Sequence, residues 1–311
     1  MMSLWVALVA LLTERVFGYP RAITAAIGHP VMWIGALVDW LEHRLNNRTR
    51  ARGVITLMVV VAVVAAVTVP ITLVLHSLPW GWLVEALLAS TLLAQKDLER
   101  HVHAVAAGLE NSLEAGRKAV SMIVGRDPAQ LDESGVAKGA IESLAENTSD
   151  GITAPLIWLL IGGLPGIAIY KAVNTCDSMI GHKSERYLAF GWASARFDDV
   201  LNLVPARVTG MLFAIATGRG MRHVLTTMRR DAPNHLSPNA GWPEAAMAAT
   251  LGIRLGGPRS YNGQKADLAW MGDGRTELDA RDIRRALRLY RRTLNILAGL
   301  CVGAVGLSLL V

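Results

Sequence analysis

The chain has 311 residues, of which 52% are hydrophobic and 18% charged, with a net charge of +6 and a mean hydropathy of +0.35. Soluble domains average about 25% charged residues, so this balance argues against a soluble protein and for an integral membrane one. The basic residues cluster beside apolar runs, a topology signal that argues against nucleic acid as a partner, and Cys176 and Cys301 make neither a disulfide framework nor a zinc spacing.

Met2 to Leu12 is apolar, lacks a basic segment before it and has no small-residue cleavage site after it. It reads as a first membrane helix, shallow unless continued through Val16 and Phe17. Ala22 to Val38 is broken by Gly28-His29-Pro30 and predicts a half-helix or interfacial segment. Val54 to Leu75 is the firmest span: 22 uncharged residues preceded by Arg48, Arg50 and Arg52, which the positive-inside rule places in the cytoplasm. Pro79-Trp80-Gly81-Trp82 predicts an interfacial turn, and the returning segment Leu83 to Ala94 carries Glu85, a charge suited to a cavity wall or a shallow helix end.

Thr91 to Val124 predicts one long amphipathic helix, with Leu98, Val102, Val105, Leu109 and Leu113 on its apolar stripe and Lys96, Glu99, Arg100, Glu110 and Lys118 opposite. Gly125-Arg126-Asp127-Pro128 stops it. Ser134 to Glu146 is a second cytoplasmic helix, on which Glu142 and Glu146 share a face and Lys138 can pair with Glu142. Ile152 to Tyr170 has no charge but contains Pro155, Gly162, Gly163, Pro165 and Gly166. That predicts two half-helices, or a re-entrant hairpin with its tip at Gly162 to Gly166, a backbone tolerated at membrane depth only where protein or a cavity surrounds it.

Leu201 to Gly218 is apolar around Pro205 and Arg207, and basic residues flank both it and the preceding segment. Neither is then expected to cross fully. Residues 231 to 274 are rich in turn formers, with a short helix at Glu244 to Ile253 started by Pro243. Leu278 to Tyr290 is a basic amphipathic helix and Leu294 to Val311 an uncharged C-terminal span. The fold expected is an all-α integral membrane protein: a helical bundle with broken or re-entrant helices and cytoplasmic amphipathic helices. One membrane-embedded domain would cover 1–311, with a cytoplasmic helical insertion at 95–150, a cytoplasmic loop-rich segment at 219–292 and a membrane helix at 294–311.

The pattern Asn-Thr-x-Asp occurs twice, at Asn147 to Asp150 and Asn174 to Asp177, on either side of the uncharged segment. Asn and Asp gathered in short turns around one cavity are hard-oxygen ligands, suited to magnesium with its water and phosphate partners. Asp150, Asp177, Asp198 and Asp199 are the carboxylates for a metal, and Asn147, Asn174 and Asn202 supply amide oxygens or orient the ligands. Lys171, Lys183, Arg186, Arg196 and Arg207 can hold phosphate or carboxylate groups. Glu146 and His182 are acid or base candidates. Helix caps and turns would account for two such aspartates, but not for the repeat together with Asp198-Asp199 and the nearby cations. No P-loop, G-x-S-x-G or H-E-x-x-H motif occurs.

Several segments in order carry a family resemblance: G-H-P at 28–30, A-V-S-M-I-V-G-R-D at 119–127, I-E-S-L-A-E-N-T-S-D-G at 141–151, Y-K-A-V-N-T-C-D-S-M-I-G-H at 170–182, F-G-W-A-S-A-R-F-D-D-V-L-N at 190–202, S-P-N-A-G-W-P-E-A-A at 237–246, G-G-P at 256–258 and G-D-G-R at 272–275. The chain resembles the adenosylcobinamide-phosphate synthases (cobinamide synthases) of bacterial cobalamin biosynthesis over nearly its full length. Cys176 departs from the aliphatic residue expected there. The resemblance implies a carbon–nitrogen ligase of the bacterial inner membrane, multi-pass and in contact with lipid. It would join adenosylcobyric acid to (R)-1-amino-2-propanol or its O-phosphate, consuming ATP with magnesium, alone or in a complex with other membrane enzymes of the pathway. On that footing Asp150 and Asp177 are expected at the metal, Lys171, Lys183 and Arg196 at phosphate, and Glu146 or His182 as base. Two other classes stay open: a non-enzymatic membrane signalling protein of the related β-lactam resistance family, and a corrinoid transporter.

Overall fold

The computed structural model describes residues 2–124, 128–261, 264–266 and 268–310. The Gly125-Arg126-Asp127 stop and the Asn262-Gly263 turn lie outside them. The chain runs through α1 (Met2–Phe17), α2 (Arg21–Ile27), α3 (Pro30–Leu45), α4 (Arg50–His76), α5 (Gly81–Ser90), α6 (Gln95–Asn111), α7 (Leu113–Val120) and α8 (Glu133–Thr148). It continues through α9 (Ala154–Ile180), α10 (Trp192–Leu201), α11 (Leu203–Thr217), α12 (Met221–Asp231), α13 (Gly241–Leu251) and α14 (Ala280–Ser308). Two compact units result. The first comprises Met1–Ala94, Ala154–Asn202 and Leu300–Val311; the second comprises Gln95–Thr153 and Leu203–Gly299.

In the first unit, α2 and α3 are separated as Gly28 and Pro30 demand. Gly28 has φ 80°, and the His29 ring accepts the Val31 N–H to cap α3. Helix α4 is apolar on all sides, and Met58, Val67, Leu73 and Val74 are exposed along it. Water does not favour such a surface; lipid does. Three stretches are long and apolar enough to cross a membrane, Ala22–Leu45, Arg50–His76 and Glu133–Ile180, with a fourth if Trp192–Leu201 and Leu203–Asn234 are taken together.

Helix α9 is two half-helices. Gly163, at φ 60° and ψ −153°, breaks it, and Leu164 and Pro165 begin the second half. The halves fold against each other: a Cβ on Gly166 would lie 2.3 Å from the Trp158 carbonyl oxygen. That agrees with the hairpin tip expected at Gly162 to Gly166. The first N–H of the new half is held from α5. Glu85, only 3% exposed, accepts the Leu164 N–H at 3.0 Å with Oε1, and its Oε2 meets His76 Nε2 at 2.9 Å. Glu85 is thus a cavity-wall residue, in a void of about 190 Å³ that Val6, Thr72, His76, Gly163 and Pro165 also line.

In the second unit the single helix expected over 91–124 is two. Ser112 ends α6 in extended backbone and caps α7, its hydroxyl accepting the Ala115 N–H. Hydrophobic periodicity runs through the break unchanged and so conceals it. The polar face of α6 is an ion-pair seam as well as a solvated surface. Glu99 and Glu110 pair with Arg291 and Arg284 of α14, and the Tyr290 hydroxyl donates to the Gln95 carbonyl. Alanines let α8 and α13 approach closely: Ala137, Ala140, Ala145, Ala245, Ala246 and Ala248 are all fully buried. The all-α expectation holds, and the unit adds two short strand pairs to it. Leu255–Gly256 (β1) pairs antiparallel with Trp270–Met271 (β4), and Arg259–Tyr261 (β2) with Gln264–Ala266 (β3). Strands of two and three residues in glycine-rich chain are too short to show an alternating pattern. Helix α14 runs without interruption from the basic segment into the apolar C-terminal one.

Candidate functional site

Both Asn-Thr-x-Asp segments are helical rather than turns. Asn147 and Thr148 close α8, and Ser149–Thr153 make one wide turn in which the Thr153 hydroxyl donates to the Thr148 carbonyl. Such π-type turns recur at functional sites. Asn174 to Asp177 lie within the second half of α9. The first segment belongs to the second unit and the other to the first unit.

In the first unit, one face of α9 meets α10 through a chain of polar groups. Residues one helical turn apart share a face, so Tyr170, Lys171, Asn174 and Asp177 line up on α9, and Asp198 of α10 with Asn202, which caps that helix. Asp198 is 8% exposed and both its oxygens are held: Asn174 Nδ2 donates to Oδ1 at 3.3 Å and Asn202 Nδ2 to Oδ2 at 2.9 Å. The amides are held in turn. Buried Tyr170 donates to Asn202 Oδ1 at 2.9 Å, and Lys171 Nζ donates to Asn174 Oδ1 at 3.1 Å. The asparagine N–H groups face the carboxylate, and their oxygens face the phenol and the ammonium.

Asp177 stands in the electrostatic field of both Asp198 and Asp199. Gly181 leaves it room, since a Cβ there would lie 2.0 Å from Asp177 Oδ1. Asp199 meets Arg196 at 3.3 Å and feels the charge of Lys183. His182 and Lys183 are exposed in the chain directly after α9. Arg186 lies apart from this set. Its guanidinium grips Glu42 with two hydrogen bonds of 2.9 and 2.8 Å, and that carboxylate raises the Arg186 pKa above its ordinary value. Gathered aspartates with two or more lysines and arginines beside them fit magnesium and phosphate: hard oxygens, with like charges that call for a counter-cation.

In the second unit, Asn147 donates back to Ser143, and Asp150 lies in the wide turn. Glu142 is buried and accepts the Gly256 N–H at 2.8 Å. Arg207 stacks on Trp242 and donates to the Leu203 carbonyl and to Asn239. Glu146 gathers with two residues that sequence reasoning missed, His235 and Glu244. Among the described residues, theirs is the one group of three imidazole or carboxylate ligand atoms lying within 4.8 Å of one another. A signal was present in S-P-N-A-G-W-P-E, which ends on Glu244, but its link to Glu146 exists only in three dimensions. Tyr170 was missed for another reason: a tyrosine closing an apolar run reads as a membrane-interface anchor.

Comparison with known proteins finds matches over most of the chain. The family described as CobD/Cbib protein matches residues 7–290. A Rhodobacter capsulatus protein named "Cobalamin biosynthesis protein CobD" is 50% identical over 290 residues, 92% of each chain. Proteins of the same name from Brucella suis biovar 1 and Rhizobium meliloti are 46% and 45% identical, covering 95% and 94% of this chain and 94% of their own. No solved structure matches. A family match over most of the length, with relatives this similar end to end, leaves one conclusion: the chain belongs to the CobD/CbiB family.

Proposed function

We propose that the protein is the amide synthase of cobalamin biosynthesis, joining adenosylcobyric acid to (R)-1-amino-2-propanol or its O-phosphate at the expense of ATP. The relatives' names support the pathway. The observation that carries the reaction is Asp198, fixed through both oxygens next to Asp177, Asp199 and Lys171. A carboxylate is a poor acyl donor. Transfer of the ATP γ-phosphoryl group to it gives an acyl phosphate and ADP. The amine nitrogen then attacks the acyl carbon, the amide forms and phosphate leaves. Magnesium, when bound, would neutralise charge on the phosphoryl oxygens.

The chain's own groups have distinct tasks in this scheme. Asp177 and Asp199 would hold the metal, and Asp198 is the immobile member that sets their frame. Lys171, Lys183 and Arg196 bind phosphate oxygens. The amine arrives as an ammonium and must lose a proton before attacking. His182, exposed at the end of α9, accepts it. The protein works in the bacterial inner membrane as a multi-pass protein. An amidation assay with membranes, adenosylcobyric acid, ATP, magnesium and each amine form tests the proposal. Amide formed only with all components present supports it; no amide with either amine refutes it.

A further inference from the structure

The cluster of Glu146, His235 and Glu244 has no task in that amidation. It lies wholly in the second unit and draws on three elements: the end of α8, the turn before α13, and the first turn of α13. His235 Nε2 is 3.6 Å from Glu244 Oε1, with the side chains 22% and 2% exposed, and the Glu146 donor atom lies within 4.8 Å of both. A metal bound at roughly 2.0–2.2 Å in tetrahedral geometry sets its donors about 3.3–3.6 Å apart. The pair already stands at that spacing. Two carboxylates this close, with Glu142 adding its charge one turn earlier on α8, favour a cation between them.

The imidazole is also held in place by the turn that carries it. Its Nδ1 accepts the Ser237 backbone N–H at 3.0 Å and lies 3.3 Å from the Ser237 carbonyl oxygen. That bond leaves the imidazole proton on Nε2, toward Glu244; a metal taking Nε2 would move the proton to Nδ1, where the Ser237 carbonyl can accept it. The turn itself is pinned, because the Ser237 hydroxyl accepts the Asn239 and Ala240 N–H groups.

We propose that Glu146, His235 and Glu244 bind a divalent transition-metal ion of the zinc type. One nitrogen and two carboxylate donors suit zinc, cobalt or iron better than magnesium. Three protein ligands leave a coordination position open, as in catalytic rather than structural sites.

The test uses the full chain in detergent, purified without a histidine tag and stripped with chelator. Cobalt(II) should bind at one equivalent per chain and give visible ligand-field bands without sulfur charge transfer. Zinc should displace it, and a large excess of magnesium should not. X-ray absorption of the zinc-loaded protein should show a nitrogen/oxygen shell containing one imidazole. His235→Ala and Glu244→Gln should each weaken binding at least a hundred-fold, and Asp177→Asn should leave it unchanged. Because the absorption measurements need only the unsubstituted protein, a variant that misfolds leaves the test intact. Binding well below one equivalent, a sulfur-containing shell, or displacement by magnesium would overturn the proposal. Loss of amidation in Asp177→Asn with metal binding intact separates the two sites' fates.

Discussion

Asp198 has two neighbours that matter for a residue-level account, Asn174 and Asn202, and each is oriented by a further group. The arrangement predicts a graded response. Asp177→Asn removes a proposed metal ligand and should cut amidation at least about a hundred-fold, the scale of losing one charge-stabilising group, with the protein still found in membranes by immunoblot. Tyr170→Phe deletes a buried donor and leaves Asn202 Oδ1 without it, which costs about 1–3 kcal/mol. Activity should fall about ten- to a hundred-fold, as for groups that orient ligands, and a steady-state assay should show the fall mainly in kcat. The sequence showed Asp177, Asp198 and Asp199 through an unusual density of acids beside cations. It could not show that asparagine amides would turn their N–H groups toward Asp198, because that depends on how α9 and α10 pack. Nor could it show His235 and Glu244 beside Glu146.

The broken helix α9 is the element most dependent on a single distant side chain. Glu85 supplies the acceptor for the first N–H after the break, where helix geometry provides none. Glu85→Ala should cost about 1–3 kcal/mol by orphaning that buried N–H and lower the melting midpoint in detergent. Glu85→Gln keeps an acceptor oxygen and should recover part of the loss. At the start of α8, Asp132 Oδ1 accepts the Gly135 N–H at 2.7 Å, so Asp132→Ala should cost about 1 kcal/mol in the same melt. Elements were legible where local chemistry decides them: the uncharged run of α4, the Gly28-Pro30 break, the glycines and prolines of 162–166. They were illegible where a side chain acts locally without disturbing the pattern, as Ser112 does between α6 and α7, or where strands are too short to carry one.

For the whole molecule, the exposed apolar surface of α4 and the three stretches long enough to cross a bilayer predict behaviour in fractionation. The protein should stay with membranes through high salt and alkaline carbonate and come away only with detergent. Release by carbonate would exclude a spanning arrangement. Under the proposed function, the chain should let a synthase-deficient bacterium grow on cobyric acid, where an empty vector supports growth on cobinamide alone.

The two units are braided in sequence, since the polypeptide leaves and re-enters the first one twice and completes it only from Leu300 onward. A ribosome delivers the chain in one direction, so neither unit can close while most of the message is being read. Glu85 emerges long before Leu164, its later hydrogen-bond partner. During that interval the Glu85 carboxylate has His76 beside one oxygen but lacks the backbone donor for the other. Stopping translation ahead of Leu300 should yield no half-working fragment, and the degradation machinery should see a single species, complete or not.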